Sequence, residues 1–339
     1  MRIAVCRPQV PFVRGGAEVM SDGLVEALLE RGHEAETIAI PFKWYPGTRV
    51  LDQAFLWRLV DLTETDGRPI DLVIGTKFPS YCVRHPNKVV WLVHQFRQAY
   101  DYDGTELGQF SDDPVDRATR DAVERLDRVA LGEARKIFTI SQNVTDRLAR
   151  YTGIASEALP PPPQDLAFRT ESYEPFILSV NRLDRAKRID LLVEAAVAEP
   201  TLKVVIAGDG PDRPRLEELA RKADGRVEFA GRVSTDELAS LYARCRGVFY
   251  APIDEDYGMV PYEAFLSEKP VVTTYDAGGP LEIVHDQKTG LVVSADKDAV
   301  RNACLRLLAD EEEAKRLGRA GKTIAEKVTW DHCVDRLLG

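Results

Sequence analysis

Short apolar runs separated by amphipathic stretches recur along the chain. Residues 3–7, 37–40, 72–75, 89–93 and 137–141 form a first series. Parallel strands covered on both faces read as near-continuous apolar runs, and Val89-Val90-Trp91-Leu92-Val93 is the clearest of these. Residues 17–31 predict an amphipathic helix with Val19, Leu24, Leu28 and Leu29 toward a core, closed by Gly32-His33. A second series of runs lies at 176–180, 203–207, 227–230, 247–251, 271–274 and 291–293. Helical patterning falls at 190–198, 213–222, 235–244, 261–267, 280–284 and 299–309, and continues from 311 to 338. Strands alternating with helices predict βα units built on parallel sheets. The pattern breaks once. Residues 97–110 are polar and aromatic, and 114–136 read as a long helix with Val115, Val123, Leu126, Val129 and Ala130 on its apolar side. This stretch reads as an elaboration beside an active cleft.

Pro160-Pro161-Pro162-Pro163 favours extended backbone and marks the clearest boundary between the two series. With 339 residues the chain is long for one core and comfortable for two domains. The expectation is α/β: two doubly wound, Rossmann-like domains.

Composition narrows the function classes. Hydrophobic content of 44% and charged content of 29% are those of a soluble globular protein. A net charge of −10 argues against broad nucleic-acid binding and against a polybasic membrane anchor. An anionic substrate must then be held by local cations and backbone amides. The five cysteines are scattered, without CxxC spacing, which fits a reduced, cytoplasmic setting. The N-terminal apolar run is interrupted at Arg7-Pro8, too soon for a signal peptide, and no run approaches a membrane span. Membrane association is expected to be peripheral at most.

The chemistry concentrates at residues 254–264, Asp-Glu-Asp-Tyr-Gly-Met-Val-Pro-Tyr-Glu-Ala. An apolar strand precedes this stretch and a helix follows, with Pro261 expected at the first helical position beside Val260. Amides from Gly258 through Met259 and Val260 to Glu263 would face outward at the helix start, where anions bind well. Glu255 before the helix and Glu263 in its first turn can reach different parts of one ligand. After the run at 176–180 come Arg182 and Lys187, cations at the C-terminal end of a strand, while Arg185 and Arg188 read as solvated. Asp254-Glu255-Asp256 could hold a divalent cation, but two nearby cations already supply charge neutralisation, and no His/Cys cluster suggests zinc.

Two glutamates eight apart around a Gly-aliphatic pair resemble the signature of retaining glycosyltransferases of family 4, which have the GT-B fold. The resemblance implies two Rossmann-like domains facing across a cleft: 1–163 on the acceptor side, 164–325 binding a nucleotide sugar, and 326–339 crossing back as a terminal helix. It assigns Glu255 to the donor sugar, Glu263 to the ribose, and Arg182 and Lys187 to the leaving diphosphate. His94 would meet the donor sugar. Gly15 and Gly16 would lie against the phosphates, and Arg232 and Val233 would read the base through the backbone. The implied reaction is metal-independent, needs no cofactor, and moves a sugar from a nucleotide diphosphate to a hydroxyl acceptor with retention. A nucleotide-sugar epimerase, a phosphorylase, or a non-catalytic nucleotide-sugar-binding protein of the same fold are the alternatives. A Rossmann oxidoreductase lacks support because its glycine fingerprint is missing.

Overall fold

A computed structural model of the chain describes residues 1–106, 108–164 and 166–339. It divides into two compact units, Met1–Gln164 with Thr329–Gly339, and Asp165–Val328.

The first unit contains strands β1 (Arg2–Gln9), β2 (Glu34–Pro41), β3 (Glu64–Thr65), β4 (Arg68–Pro69), β5 (Leu72–Gly75), β6 (Lys88–Leu92), β7 (Lys136–Thr139) and β8 (Glu157–Ala158). Its helices include α1 (Gly16–Glu30), α2 (Val50–Leu59), α3 (Pro114–Gly132) and α4 (Gln142–Thr152). Six strands form one sheet in the order β2-β1-β5-β6-β7-β8, parallel throughout, while β3 and β4 make a separate antiparallel hairpin. The central strands β5 and β6 are wholly buried, in keeping with their apolar runs, and Lys88 at the head of β6 is buried with them. Edge strand β2 instead alternates exposed and half-buried positions, so it extends well past its apolar run.

Three sequence expectations for this unit need correction. Leu29 faces solvent, and the buried side of α1 is Met20, Ser21, Leu24, Ala27 and Leu28. Val115 and Val129 also face out, because α3 buries Thr119, Val123, Asp127, Ala130 and Leu131. The core therefore accepts a carboxyl where a valine stripe was expected. Helix α2 escaped the periodicity reading because Phe55, Leu56 and Leu59 are exposed and blur its apolar stripe.

The second unit contains β9 (Ile177–Val180), α5 (Ile189–Ala198), β10 (Val204–Ala207), α6 (Arg213–Ala220), β11 (Val227–Gly231), α7 (Thr235–Arg244), β12 (Gly247–Phe249), α8 (Met259–Leu266), β13 (Val271–Thr274), β14 (Gly290–Val293), α9 (Lys297–Ala309) and α10 (Glu311–Ala325). All six strands run parallel in the order β11-β10-β9-β12-β13-β14. Helix α5 lies against α6 and α9, and α8 against α10. Ile177, Ile206, Phe249, Val272 and Leu291 from the strands join Leu192, Leu216, Cys304 and Leu317 from the helices in its core. The stretch at 280–284 is a 3-10 turn at Gly279–Glu282, not a helix.

The helical pattern after 311 is broken at 326–329, where Thr329 caps a new helix, α11 (Trp330–Leu338), by accepting from the His332 N–H. Helix α11 belongs to the first unit and packs on α1. Cys333, Val334 and Leu337 are buried there, and Trp330 meets Trp91 edge-on at 6.1 Å.

Candidate functional site

In the second unit the strand order reverses between β9 and β12. Loops leaving strands on either side of such a reversal diverge, and ligands of open α/β sheets bind in the crevice between them. The β9 loop carries Arg182 and Lys187. The β12 loop carries Glu255 and runs into α8.

Backbone bonding fixes these loops. Ile253 N–H donates to Ala186 O at 2.8 Å, joining the two. Asp254 N–H reaches Asp276 O and Glu255 N–H reaches Ala277 O, both at 2.9 Å, and Gly279 N–H returns to Glu255 O at 2.8 Å. Arg188, expected to be solvated, is instead the clamp of this region. Its guanidinium donates to Ala251 O and Pro252 O, to Thr274 Oγ1, and to both oxygens of Asp276 at 2.9 and 2.7 Å. A planar guanidinium offers five donors in a fixed fork, which lets one side chain tie two strand ends together. Arg185 is exposed, as expected.

Within this frame Lys187 and Glu255 form an ion pair, both side chains about one-fifth to one-quarter exposed. Lys187 Nζ also lies 5.7 Å from the centre of the buried Tyr250 ring. Burial works against the ammonium, but Tyr250 and Glu255 outweigh it and hold Lys187 protonated well above the usual lysine range. Arg182 is exposed, with no side-chain hydrogen bond or ion pair among the described residues. The loop thus presents one neutralised cation and one available cation.

Helix α8 starts at Met259, two residues before the position expected, with Pro261 third in the helix. Proline is tolerated throughout the first turn because the N–H it lacks would have no helical partner. Gly258 caps the helix at φ 84, and a Cβ there would sit 2.8 Å from the Tyr250 ring. Only glycine meets both demands, and it supplies no side chain to occupy the first-turn amides. Those of Met259 and Val260 lie at the positive end of the helix dipole, on the loop that leaves β12. One turn further in, Glu263 accepts from Tyr242 OH at 2.6 Å. Burial pushes the Glu263 carboxyl up, and the Tyr242 bond opposes that.

The turns after β9, β10 and β11 are bonded into one surface. Leu183 N–H donates to Asp209 O at 3.1 Å and Gly208 N–H to Gly231 O at 2.7 Å. Arg232 is exposed and Val233 half-buried at the end of this surface.

The other sequence-assigned residues stand on the first unit. Gly15 and Gly16 are exposed at the start of α1, where Gly15 N–H donates to Glu18 Oε2 at 2.8 Å. His94 is half-buried two residues past β6, its Nδ1 2.5 Å from Gln95 O. A carbonyl only accepts, so in this contact Nδ1 is the donor. Tyr242, Tyr250 and Asp276 support the site but carry no motif. Tyr250 reads in the sequence as the end of a buried strand, and Tyr242 as one apolar position of a helix.

Among the described residues no cluster of three or more metal-ligating side chains occurs, and no helix is long and apolar enough to cross a membrane.

Residues 165–324 match the family model of the glycosyl transferases group 1. The chain is 25% identical, over 95% of its own length and 93% of the relative's, to an uncharacterised glycosyltransferase, MJ1607, of Methanocaldococcus jannaschii. A second from that organism, MJ1178, is 29% identical over 58% of this chain and 53% of the relative. A GDP-mannose-dependent alpha-mannosyltransferase of Mycolicibacterium smegmatis is 32% identical over 49% of this chain and 42% of the relative. The chain thus spans about half or less of the length of several curated relatives it matches. Among solved structures, sucrose-phosphate synthase from Thermosynechococcus elongatus superposes with a TM-score of 0.78 at 20% identity, covering 99% of this chain and 97% of that one. WaaG, a glycosyltransferase involved in lipopolysaccharide biosynthesis, gives 0.73 at 17% identity, covering 99% of this chain and all of that one. Anabaena HepE in complex with UDP and glucose gives 0.70 at 18% identity, covering all of this chain and 99% of that one. The fold is that of the GT-B glycosyltransferases, with two parallel-sheet domains.

Proposed function

We propose that this chain is a retaining, metal-independent glycosyltransferase of family 4, taking its sugar from a nucleotide diphosphate. The observation that carries the reading is the convergence of Arg182, Lys187, Glu255 and the uncapped start of α8 at the strand reversal of the second unit. A diphosphate seated there meets Arg182, Lys187 and the amides of Met259 and Val260, with Gly258 admitting the close approach. Expulsion of that diphosphate builds charge on its oxygens, and fixed cations and amides stabilise the charge as it develops. Glu255, held against Lys187, accepts from sugar hydroxyls. Glu263 accepts from the ribose, and backbone groups at Arg232 and Val233 face the base.

On the first unit, the resemblance assigns His94 to the donor sugar and Gly15 and Gly16 to the phosphates and acceptor. No side chain is assigned as a covalent nucleophile. The departing phosphate takes the acceptor's proton as the new bond forms on the face it leaves. UDP and GDP are the first nucleotides to test, since a solved structure of similar fold holds UDP and the name of one relative carries GDP-mannose. A cytoplasmic setting fits five buried free cysteines.

A melting-temperature panel of UDP, GDP, ADP and their sugars tests the donor, because a ligand selective for the folded state raises Tm. Glu263→Ala is expected to abolish most of the shift given by the preferred nucleotide. Lys187→Ala is expected to lower turnover, read as donor hydrolysis, by more than it lowers affinity. Unchanged binding and unchanged turnover in both variants would remove the site assignment.

A further inference from the structure

The first unit contains a buried acid that the reading above does not use. Asp127, on α3, is fully buried. Its Oδ1 accepts from Tyr81 OH at 2.7 Å and its Oδ2 from Tyr100 OH at 2.8 Å. Tyr81 lies in the turn Ser80–Cys82 after β5. Tyr100 follows the turn Arg97–Ala99 after β6, on the same segment as His94. One carboxyl therefore joins two loops that leave neighbouring strands at their C-terminal ends. Other contacts bring the same loops together: Val93 N–H donates to Thr76 O at 2.7 Å, and the Phe78 and Phe96 rings lie 5.1 Å apart.

No basic side chain pairs with Asp127 among the described residues. Glu124 of α3 faces it with like charge, and Cys82 lies beside it. Arg128 of α3 acts on Tyr100, whose ring also packs on Tyr151 of α4. The nearby Lys88 ammonium is engaged elsewhere, by the carbonyls of Tyr81, Val83 and Ala130 and by Glu133. An acid buried without a cation is costly, and packing alone does not explain it. What an apolar side chain could not do is satisfy two buried phenols that arrive from different loops.

We propose that Asp127 is a positioning residue that holds the loops after β5 and β6 as one body, and that their release is coupled to loss of a proton from its carboxyl. Closed, burial pushes Asp127 up to about 7, against the pull of the two phenol bonds. Opened, water reaches the group and it returns to an ordinary acid near 4. The open state thus binds fewer protons between those values, so opening becomes easier as pH rises toward 7 and levels off above it. The consequence for His94 and catalysis rests on the transferase reading; the loop behaviour does not.

Amide hydrogen exchange of the full chain tests this, comparing segments 80–83 and 94–103 with the strands of the second unit. After correction for intrinsic exchange, the opening constant of both segments is expected to rise on the order of 10-fold between pH 5.5 and 7.5. Asp127→Asn keeps the shape but cannot titrate, and should flatten that dependence in both segments. Tyr100→Phe should loosen 94–103 more than 80–83. A slope retained in Asp127→Asn, or absent from the unaltered protein, would overturn the proposal. A slope abolished as expected in a chain showing no donor turnover would support the latch and count against the transferase reading.

Discussion

Residue by residue, the least ordinary feature of this protein is where it buries charge. Lys88 opens a strand that is otherwise apolar and is itself fully inaccessible. Its ammonium is satisfied by three carbonyls and by Glu133, which Arg58 also grips through both oxygens at 2.6 and 2.7 Å. The Arg58 bonds, followed by Lys88, pull the Glu133 carboxyl down to about 2 against the opposing effect of burial. Its stabilising contribution is therefore complete above the ordinary carboxyl range and is lost as pH falls toward 2. Glu133→Ala strands a buried ammonium. The expected cost is about 2 kcal/mol at pH 7, reduced from that of a fully buried pair because Glu133 is partly exposed. Urea unfolding at pH 7 and pH 3 checks it: the difference from the unaltered protein should shrink at the lower pH.

At the scale of elements, α8 owes its position to α10. A Cβ on Gly318 would lie 1.9 Å from Glu268 O, and one on Gly321 would lie 2.3 Å from the Phe265 ring. Two glycines one turn apart let α10 seat directly on the C-terminal end of α8. The polar side of the contact is closed by Lys322 and Arg319 on Glu268. Gly318→Ala should therefore displace the end of α8 and shift its uncapped N-terminus. The expected result is a loss of stability of about 2 kcal/mol and a nucleotide-induced Tm shift smaller than that of the unaltered protein. A full nucleotide response in Gly318→Ala would show that the seat of α8 is not what aims its amides.

For the whole molecule, the chain passes through both units and ends on the first. Helix α11 buries Cys333, Val334 and Leu337 against the first unit, and Arg336 pairs with Glu157 of β8. Deleting residues 329–339 should lower the stability of that unit by several kcal/mol, at about 1.5–3 kcal/mol for each large apolar side chain uncovered. Hydrogen exchange read separately over each unit checks it: protection should fall in β1, β6 and α1 while the strands β9–β14 keep theirs.

Much of the architecture was legible because parallel strands leave a direct mark. Runs such as 72–75 and 271–274 coincide with the observed strands, since a strand buried on both faces is largely apolar, with Thr273 and Thr274 buried at the end of the second. Helix α7 was legible for the same kind of reason, with Ser234 accepting from the Glu237 N–H at its start. The stretch 254–264 carried its own grammar of strand end, glycine and helix start, and it does fall at the strand reversal. Local sequence therefore determined that this is a parallel α/β chain and which loops carry cations and carboxylates. Tertiary structure decided what those charges do. Arg188 and Arg185 look alike in the sequence, yet of the two only Arg188 finds two carbonyls, a hydroxyl and a carboxylate converging from two other segments. Nothing in the local sequence marks Asp127 or Lys88 as buried. Their partners come from loops and helices remote in the chain, and only packing brings those partners within reach. Periodicity records which face of an element avoids water; it does not record which polar groups a distant segment will bring to satisfy a charge buried there.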